Sequence, residues 1–201
     1  SVEKHLLREY GPLLFYPGYT QPDKGIGYLS RYGEGLRENG GVYTHAATWA
    51  IIAEVIMRRP EKAYEIYSKI CPAKKNPRIY FAEPYVTCGN VDGPQSAYFG
   101  RGGWTWYSGS GAWLFKVSSE WILGIRPTLE GLLIDPCIPC DWLGFKVIRK
   151  FRGATYEIEV ENPQRVSFGV KEILLDEKRL EKPIIPSLSD GKTHQVRVVL
   201  G

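Results

Sequence analysis

The 201 residues, 22.8 kDa, fit one large domain or two small ones, and 43% hydrophobic with 24% charged residues excludes a disordered chain. Lys+Arg 26 against Asp+Glu 22 leaves a net charge of +4, with the cations spread singly or in pairs such as Arg58-Arg59 and Lys74-Lys75. That excludes the clustered basic footprint of a nucleic-acid binder. The apolar runs fall far short of the roughly 18 residues a membrane span needs, and no basic-then-apolar signal opens the chain. A cytoplasmic chain with neither nucleic acid nor membrane as partner is expected.

The first forty residues are irregular, with an aromatic-studded loop at Tyr10-Gly-Pro-Leu-Leu-Phe-Tyr-Pro-Gly-Tyr19. The clearest helix is predicted over 48–57, where Trp49, Ile52, Ala53 and Ile56 share one apolar face and Arg58-Arg59-Pro60 closes it. A second helix is predicted at about 60–70, with Pro60 in its first turn and a stripe of Ala63, Ile66, Tyr67 and Ile70. Residues 76–103 read as a long loop, a length that is usually functional inside a compact domain. A third helix is predicted over 110–123, ending at Gly124. From Leu132 the period changes from 3.6 to 2, which predicts short antiparallel strands at 131–135, 145–149, 154–160, 166–170, 173–175 and 194–199. The chain therefore divides near Pro127 into a helical part, 1–127, and a β part, 128–201.

Two glycine-rich clusters precede helices. In Glu38-Asn-Gly-Gly-Val-Tyr-Thr-His45, paired glycines allow close backbone approach, and His45 falls at a helix start that favours anions. A tight turn with a capping histidine explains the same residues equally well. Gly100-Arg-Gly-Gly-Trp-Thr-Trp-Tyr-Ser-Gly-Ser-Gly111 also opens a helix but lacks the lysine and spacing of a nucleotide P-loop. Trp104, Trp106, Tyr107 and Trp113 crowd this stretch, and two oxyanion cradles beside aromatics favour a sugar plus an oxyanion. Glu38, Glu83, Asp92 and Asp135 are the candidate acid–base carboxylates, with no spacing that singles out a pair. Cys137 and Cys140 have zinc-ligand spacing but no completing pair, so no metal is expected.

Several motifs in fixed order carry a resemblance. Glu38-Asn-Gly-Gly-Val-Tyr-Thr-His45, Glu83-Pro-Tyr-Val86, Trp106-Tyr-Ser-Gly-Ser-Gly-Ala-Trp113, Ile122-Leu-Gly-Ile-Arg-Pro127, Ile134-Asp-Pro-Cys-Ile-Pro139 and Arg152-Gly-Ala-Thr-Tyr-Glu-Ile-Glu-Val-Glu-Asn162 resemble the C-terminal part of glycoside hydrolase family 94. These are inverting disaccharide phosphorylases of the cellobiose, cellodextrin and chitobiose phosphorylase kind. The resemblance implies the C-terminal portion of an (α/α)6 helical barrel over 1–127, followed by a small antiparallel β-sandwich domain over 128–201.

It also implies a reaction in which inorganic phosphate, a co-substrate rather than a cofactor, cleaves a β-linked gluco-disaccharide or short oligosaccharide to an α-sugar 1-phosphate with inversion. His45, Ser108 and Gly109 match the phosphate-holding positions, with Ser108 where Thr is more usual. Glu38 matches a donor-sugar contact, Tyr32 and Arg37 match acceptor-subsite positions, and Gly89 falls where cellobiose phosphorylases have a Gln on the sugar. Trp106 is added as a stacking residue. Nothing matches the general-acid Asp, which the resemblance places upstream, so the chain, which begins without Met, is expected to be a fragment that is inactive and poorly soluble alone. Homodimers occur in such families. The alternatives are a non-catalytic carbohydrate-binding module, or the phosphorylase-like end of a cyclic β-1,2-glucan synthase, which Gly102-Gly-Trp-Thr-Trp-Tyr107 also resembles.

Overall fold

Thr44, Ala47, Thr48, Ile51 and Val55 recur at helical spacing, and in the computed structural model, which describes residues 1–201, they form the buried face of a helix spanning Thr44–Ile56. The stripe predicted on Trp49, Ile52, Ala53 and Ile56 is instead the outer one: Trp49 and Ile56 are 53% and 64% exposed. The physical reason is that this helix is apolar nearly all round, so a one-sided pattern is a poor guide to which side packs.

The chain divides into two compact units, Ser1–Ile56 with Lys62–Val117 and Met57–Glu61 with Ser118–Gly201. In the first, α1 (Val2–His5) leads into a small hairpin of β1 (Leu7–Arg8) and β2 (Gly11–Pro12). A long irregular segment with one 3-10 turn at Tyr28–Arg31 reaches β3 (Val42–Tyr43), which runs directly into α2 (Thr44–Ile56). Then come α3 (Pro60–Ile70), the short α4 (Pro77–Tyr80), β4 (Asn90–Val91), β5 (Gly102–Gly103) and α5 (Ser108–Lys116). Ala63, Ile66 and Ile70 bury the predicted stripe of α3. Strands β3, β4 and β5 form an antiparallel sheet in that order, with Tyr43 opposite Asn90 and Asn90 opposite Gly103. At Gly41, just before β3, an added Cβ would lie 2.6 Å from both the Arg37 carbonyl and Asn90 Oδ1, so only glycine fits. The third predicted helix is observed as α5 followed by a π-helical segment, Val117–Ile122.

In the second unit, β6 (Ile125–Pro127), β7 (Gly131–Ile134) and β12 (Ile184–Pro186) make one antiparallel sheet, ordered β12-β7-β6. The other sheet is ordered β11-β10-β13-β9-β8, from β8 (Gly144–Phe151), β9 (Ala154–Glu161), β10 (Val170–Leu175), β11 (Lys178–Arg179) and β13 (Thr193–Leu200). It departs from the all-antiparallel expectation, because β13 pairs with β9 in parallel, Val196 opposite Ile158. The connection between them already holds β10, β11 and β12, long enough for the crossover a parallel pair requires. Ala154, Tyr156, Ile158 and Val160 of β9 alternate inward with His194, Val196, Val198 and Leu200 of β13. The fully buried Tyr156 keeps its hydroxyl satisfied, donating to the Pro186 carbonyl at 2.8 Å and accepting from Leu188 N at 3.1 Å.

His194 sits on this inner face between two carboxylates, Nδ1 2.7 Å from Asp176 Oδ2 and Nε2 3.1 Å from Asp190 Oδ1. Bonding to Asp176 first, then Asp190, raises the imidazole above its ordinary 6.5. Asp176, bonded by His194, and Asp190, bonded by the Lys192 amide and then His194, are held below the ordinary 3.8. The histidine's contribution is complete below pH 6.5 and is lost as pH rises through its raised value; the aspartates' contribution is present above pH 3.8 and is lost as pH falls. The melting temperature of the chain is therefore expected to be highest between those limits and to decline above pH 6.5. In His194→Gln that alkaline decline should flatten, and an identical profile in the variant contradicts the assignment.

Candidate functional site

The segment from Gly102 to Ser110 turns sharply from strand into helix, and bulky residues carry the turn. Trp104 and Trp106 have φ of 57° and 64°, and Arg37, in the loop alongside, has 49°. Non-glycine residues in this left-handed region cost about 1–3 kcal/mol each and persist where the surrounding structure over-determines them. The turn delivers α5 with Tyr107 as its N-cap, which makes no side-chain capping bond. The amides of Ser108, Gly109 and Ser110 thus begin a nine-residue helix without intrahelical acceptors, at the positive end of its dipole.

The start of α2 faces the same place. A cavity of about 50 Å³, room for about three or four waters, lies between His45 of α2 and Gly109 and Ser110 of α5. An added Cβ at Gly109 would stand 3.8 Å from His45 Nδ1. The ring of His45 is packed by Trp49 (centroids 5.1 Å) and Trp113 (5.5 Å), and its buried Nε2 has no hydrogen-bond partner. Two helix starts meet on this small cavity, and helix N-termini favour negative charge.

The remaining walls are Tyr43 and Tyr107, Gly89 and Asn90, and Arg37 over Trp104. The Arg37 guanidinium lies 3.6 Å from the centre of the Trp104 ring and 4.8 Å from that of Tyr32, and Nη1 donates to the Tyr32 hydroxyl at 2.8 Å. Glu38 stands beside it, Oε2 3.6 Å from Arg37 Nε. Of the residues singled out in the sequence, His45, Gly109, Arg37 and Gly89 line this cavity, while Tyr32 and Glu38 hold Arg37. Ser108 and Trp106 line a neighbouring pocket of about 340 Å³, with Tyr107 common to both. Trp106 is 69% exposed, and its Nε1 donates to Glu83 Oε1 at 3.0 Å, which fixes the indole as an open platform.

No residue lining the smaller cavity carries a carboxyl group. Glu83 is engaged by Trp106, and in the second unit Asp135 is bracketed by Arg58 (2.8 Å) and Arg126 (2.7 Å). Asp92 is buried behind Asn90. It accepts from Asn90 Nδ2 (3.2 Å), Ser96 Oγ (3.1 Å) and Arg101 Nη2 (3.2 Å), and burial still pushes its carboxyl above the usual range. No group of three metal-ligating side chains is present, and all four cysteines are free. Tyr43, Asn90 and Ser110 escaped the sequence reading as site residues; the signal for them is the register that sets Tyr43 against Asn90, and the third position of α5.

Comparison with known proteins adds a second line of observation. The family description "Glycosyl hydrolase 94 superfamily, catalytic domain" matches residues 1–124. The N,N'-diacetylchitobiose phosphorylase of Vibrio proteolyticus is 38% identical over 203 residues, covering 100% of this chain and 25% of that protein. The solabiose phosphorylase of Paenibacillus borealis is 34% identical over 200 residues, 98% of this chain and 26% of that one. The cyclic beta-(1,2)-glucan synthase NdvB of Rhizobium meliloti is 38% identical over 168 residues, 81% of this chain and 6% of that one. The chain spans about a quarter of the length of the phosphorylases it matches.

Replacing Asp92 tests the frame under the cavity. Asp92→Ala leaves Asn90 and Ser96 without their shared acceptor, and a loss of about 1–3 kcal/mol is expected. Urea unfolding measures it, and an unchanged midpoint contradicts a supporting role for Asp92.

Proposed function

The chain belongs to the glycosyl hydrolase 94 superfamily, and from that membership we propose that it forms the phosphate-and-sugar side of a disaccharide phosphorylase site. The observation that carries the proposal is the meeting of two helix starts, at His45 and at Gly109, on one small cavity without a carboxylate. Orthophosphate is the ligand that suits it. The Gly109 amide, the Ser108 hydroxyl and His45 hold its oxygens, and the dipoles of α2 and α5 lower the cost of its charge.

A phosphate oxygen then attacks the anomeric carbon of a β-linked gluco-disaccharide or short oligosaccharide. The glycosidic bond breaks as the new C–O bond forms on the opposite face, giving an α-sugar 1-phosphate. The departing oxygen takes its proton from a carboxyl group outside these 201 residues, so the chain alone turns over no disaccharide. Glu38 and Gly89 contact the donor sugar. Arg37 and Tyr32, mutually braced, contact the acceptor, and Trp106 stacks on a sugar face. This placement belongs to the end of an (α/α)6 barrel followed by a β domain. The apolar, exposed outer face of α2, with Trp49 and Ile56, supports it, because a barrel helix has neighbours on both sides. A cytoplasmic, homodimeric parent enzyme belongs to the same reading.

A second reading, a module that binds carbohydrate without transforming it, is favoured by the exposed Trp106 platform. Phosphorus NMR separates the two. The natural polypeptide carrying this chain, given phosphate and a panel of β-linked gluco-disaccharides, is expected to form an α-sugar 1-phosphate. His45→Ala should lower kcat about 100-fold, a typical loss for one preorganised contact to a reacting anion, and raise KM for phosphate. Free reducing sugar without sugar phosphate contradicts phosphorolysis, and sugar binding indifferent to phosphate, with no product, establishes the module.

A further inference from the structure

A separate pocket, of about 480 Å³, opens in the first unit at the C-terminal end of α3, and no step of the proposed reaction uses it. Glu9, Tyr10, Glu65, Lys69, Lys74 and Lys75 are among its walls. Lys75 is half-buried, its ammonium nitrogen 5.1 Å from the centre of the Tyr10 ring and 5.9 Å from that of Tyr80. Its Nζ donates to two backbone carbonyls, that of Tyr10 at 3.2 Å and that of Lys69. An ammonium has three N–H donors, and these carbonyls take two. Loss of the third proton therefore breaks neither bond, and it leaves a lone pair on a nitrogen that two carbonyls hold in place. Burial favours that loss. It lowers the ammonium from the usual 10.5 to about 8, with the charge of Lys69 adding to it and Cys71, Cys88 and Glu9 opposing it. At pH 7.5 about one such amine in four is neutral, against about one ordinary lysine in a thousand.

The same pocket carries fixed positive charge. Lys74 pairs with no carboxylate; its Nζ meets the hydroxyls of Tyr64 at 3.2 Å and Ser68 at 3.3 Å. Lys69 stands 3.8 Å from Glu65 Oε1, while Lys62 holds Oε2 of the same carboxylate at 3.0 Å. A neutral amine beside two ammonium groups suits a small electrophile whose leaving group is an anion. We propose that this pocket is an acylation site, in which the Lys75 amine reacts with a small acyl phosphate drawn in by Lys69 and Lys74. The nitrogen lone pair attacks the acyl carbon, the bond from that carbon to the bridging oxygen breaks, and orthophosphate leaves with the electron pair. The surplus proton on nitrogen passes to water in the open pocket, so the products are an amide and one orthophosphate. The acylated nitrogen keeps a single N–H, and either the Tyr10 or the Lys69 carbonyl loses its donor. This chemistry does not depend on the phosphorylase reading.

The test exposes the natural polypeptide to acetyl phosphate at pH 7.5 and follows each lysine at early times by mass spectrometry. Lys75 is expected to gain an acetyl group about tenfold faster than the exposed Lys150 and Lys178, its larger neutral fraction outweighing the lower nucleophilicity of a weaker base. Its rate should level off near pH 8, while theirs keep rising toward pH 10. Lys74→Gln should slow acetylation of Lys75 by acetyl phosphate about three- to fivefold, and leave its rate with the uncharged N-acetoxysuccinimide within about twofold. Acetylation of Lys75 no faster than that of Lys150 and Lys178, or a rate that rises with pH in parallel with theirs, overturns the site. In Lys74→Gln, equal slowing with both reagents, or slowing with neither, overturns the acyl phosphate as its reagent.

Discussion

Two backbone hydrogen bonds at Gly89 hold the candidate site together. Its amide donates to the Trp104 carbonyl and its carbonyl accepts from the Thr44 amide, both at 3.0 Å. The second of these also satisfies the first amide of α2, so one residue ties the start of that helix to the turn that launches α5. With the pairing of β3, β4 and β5, it brings three stretches far apart in sequence, near 37–45, 89–92 and 102–110, to one cavity. Everything the site can do, from meeting an anion to holding Arg37 over Trp104, depends on that short frame. Its strands are two residues long each, so the frame draws little stability from sheet length. Beneath it the buried Asp92 accepts from Asn90, Ser96 and Arg101 and ties them together.

The signs of function at this cavity are physical and of different kinds. Arg37, Trp104 and Trp106 occupy backbone conformations that cost energy for side chains of their size. His45 Nε2 and Asn90 Oδ1 are buried without a hydrogen-bond partner. Residues at the starts of two helices line the same small volume. The left-handed conformations and the unpartnered polar atoms cost free energy and are held in place by the surrounding structure.

Much of this was legible in the residues. The glycine-led runs ending at His45 and opening at Ser108 announce two helix starts, and α3 shows its buried stripe openly. The mistaken face of α2 has a plain cause, since a helix apolar on both sides presents two candidate stripes. The strands β3, β4 and β5 are too short to establish a period of two, and the residues they align, Tyr43 and Asn90, therefore stayed hidden. The parallel pairing of β13 with β9 cannot be read from alternation either, because alternation sets a strand's inward face and is silent on its direction. Ser110 looked like one more small residue in a glycine-serine run until its burial separated it from Ser108, its exposed neighbour two positions earlier.

The central claim is that the starts of α2 and α5 together bind orthophosphate. The most direct measurement is a titration of the natural polypeptide with orthophosphate, followed at the His45 ring nitrogens and the Gly109 amide by nitrogen NMR. The account predicts that both respond with one saturable constant. Saturation in which neither signal moves, or a His45 response that Gly109 does not share, would contradict it.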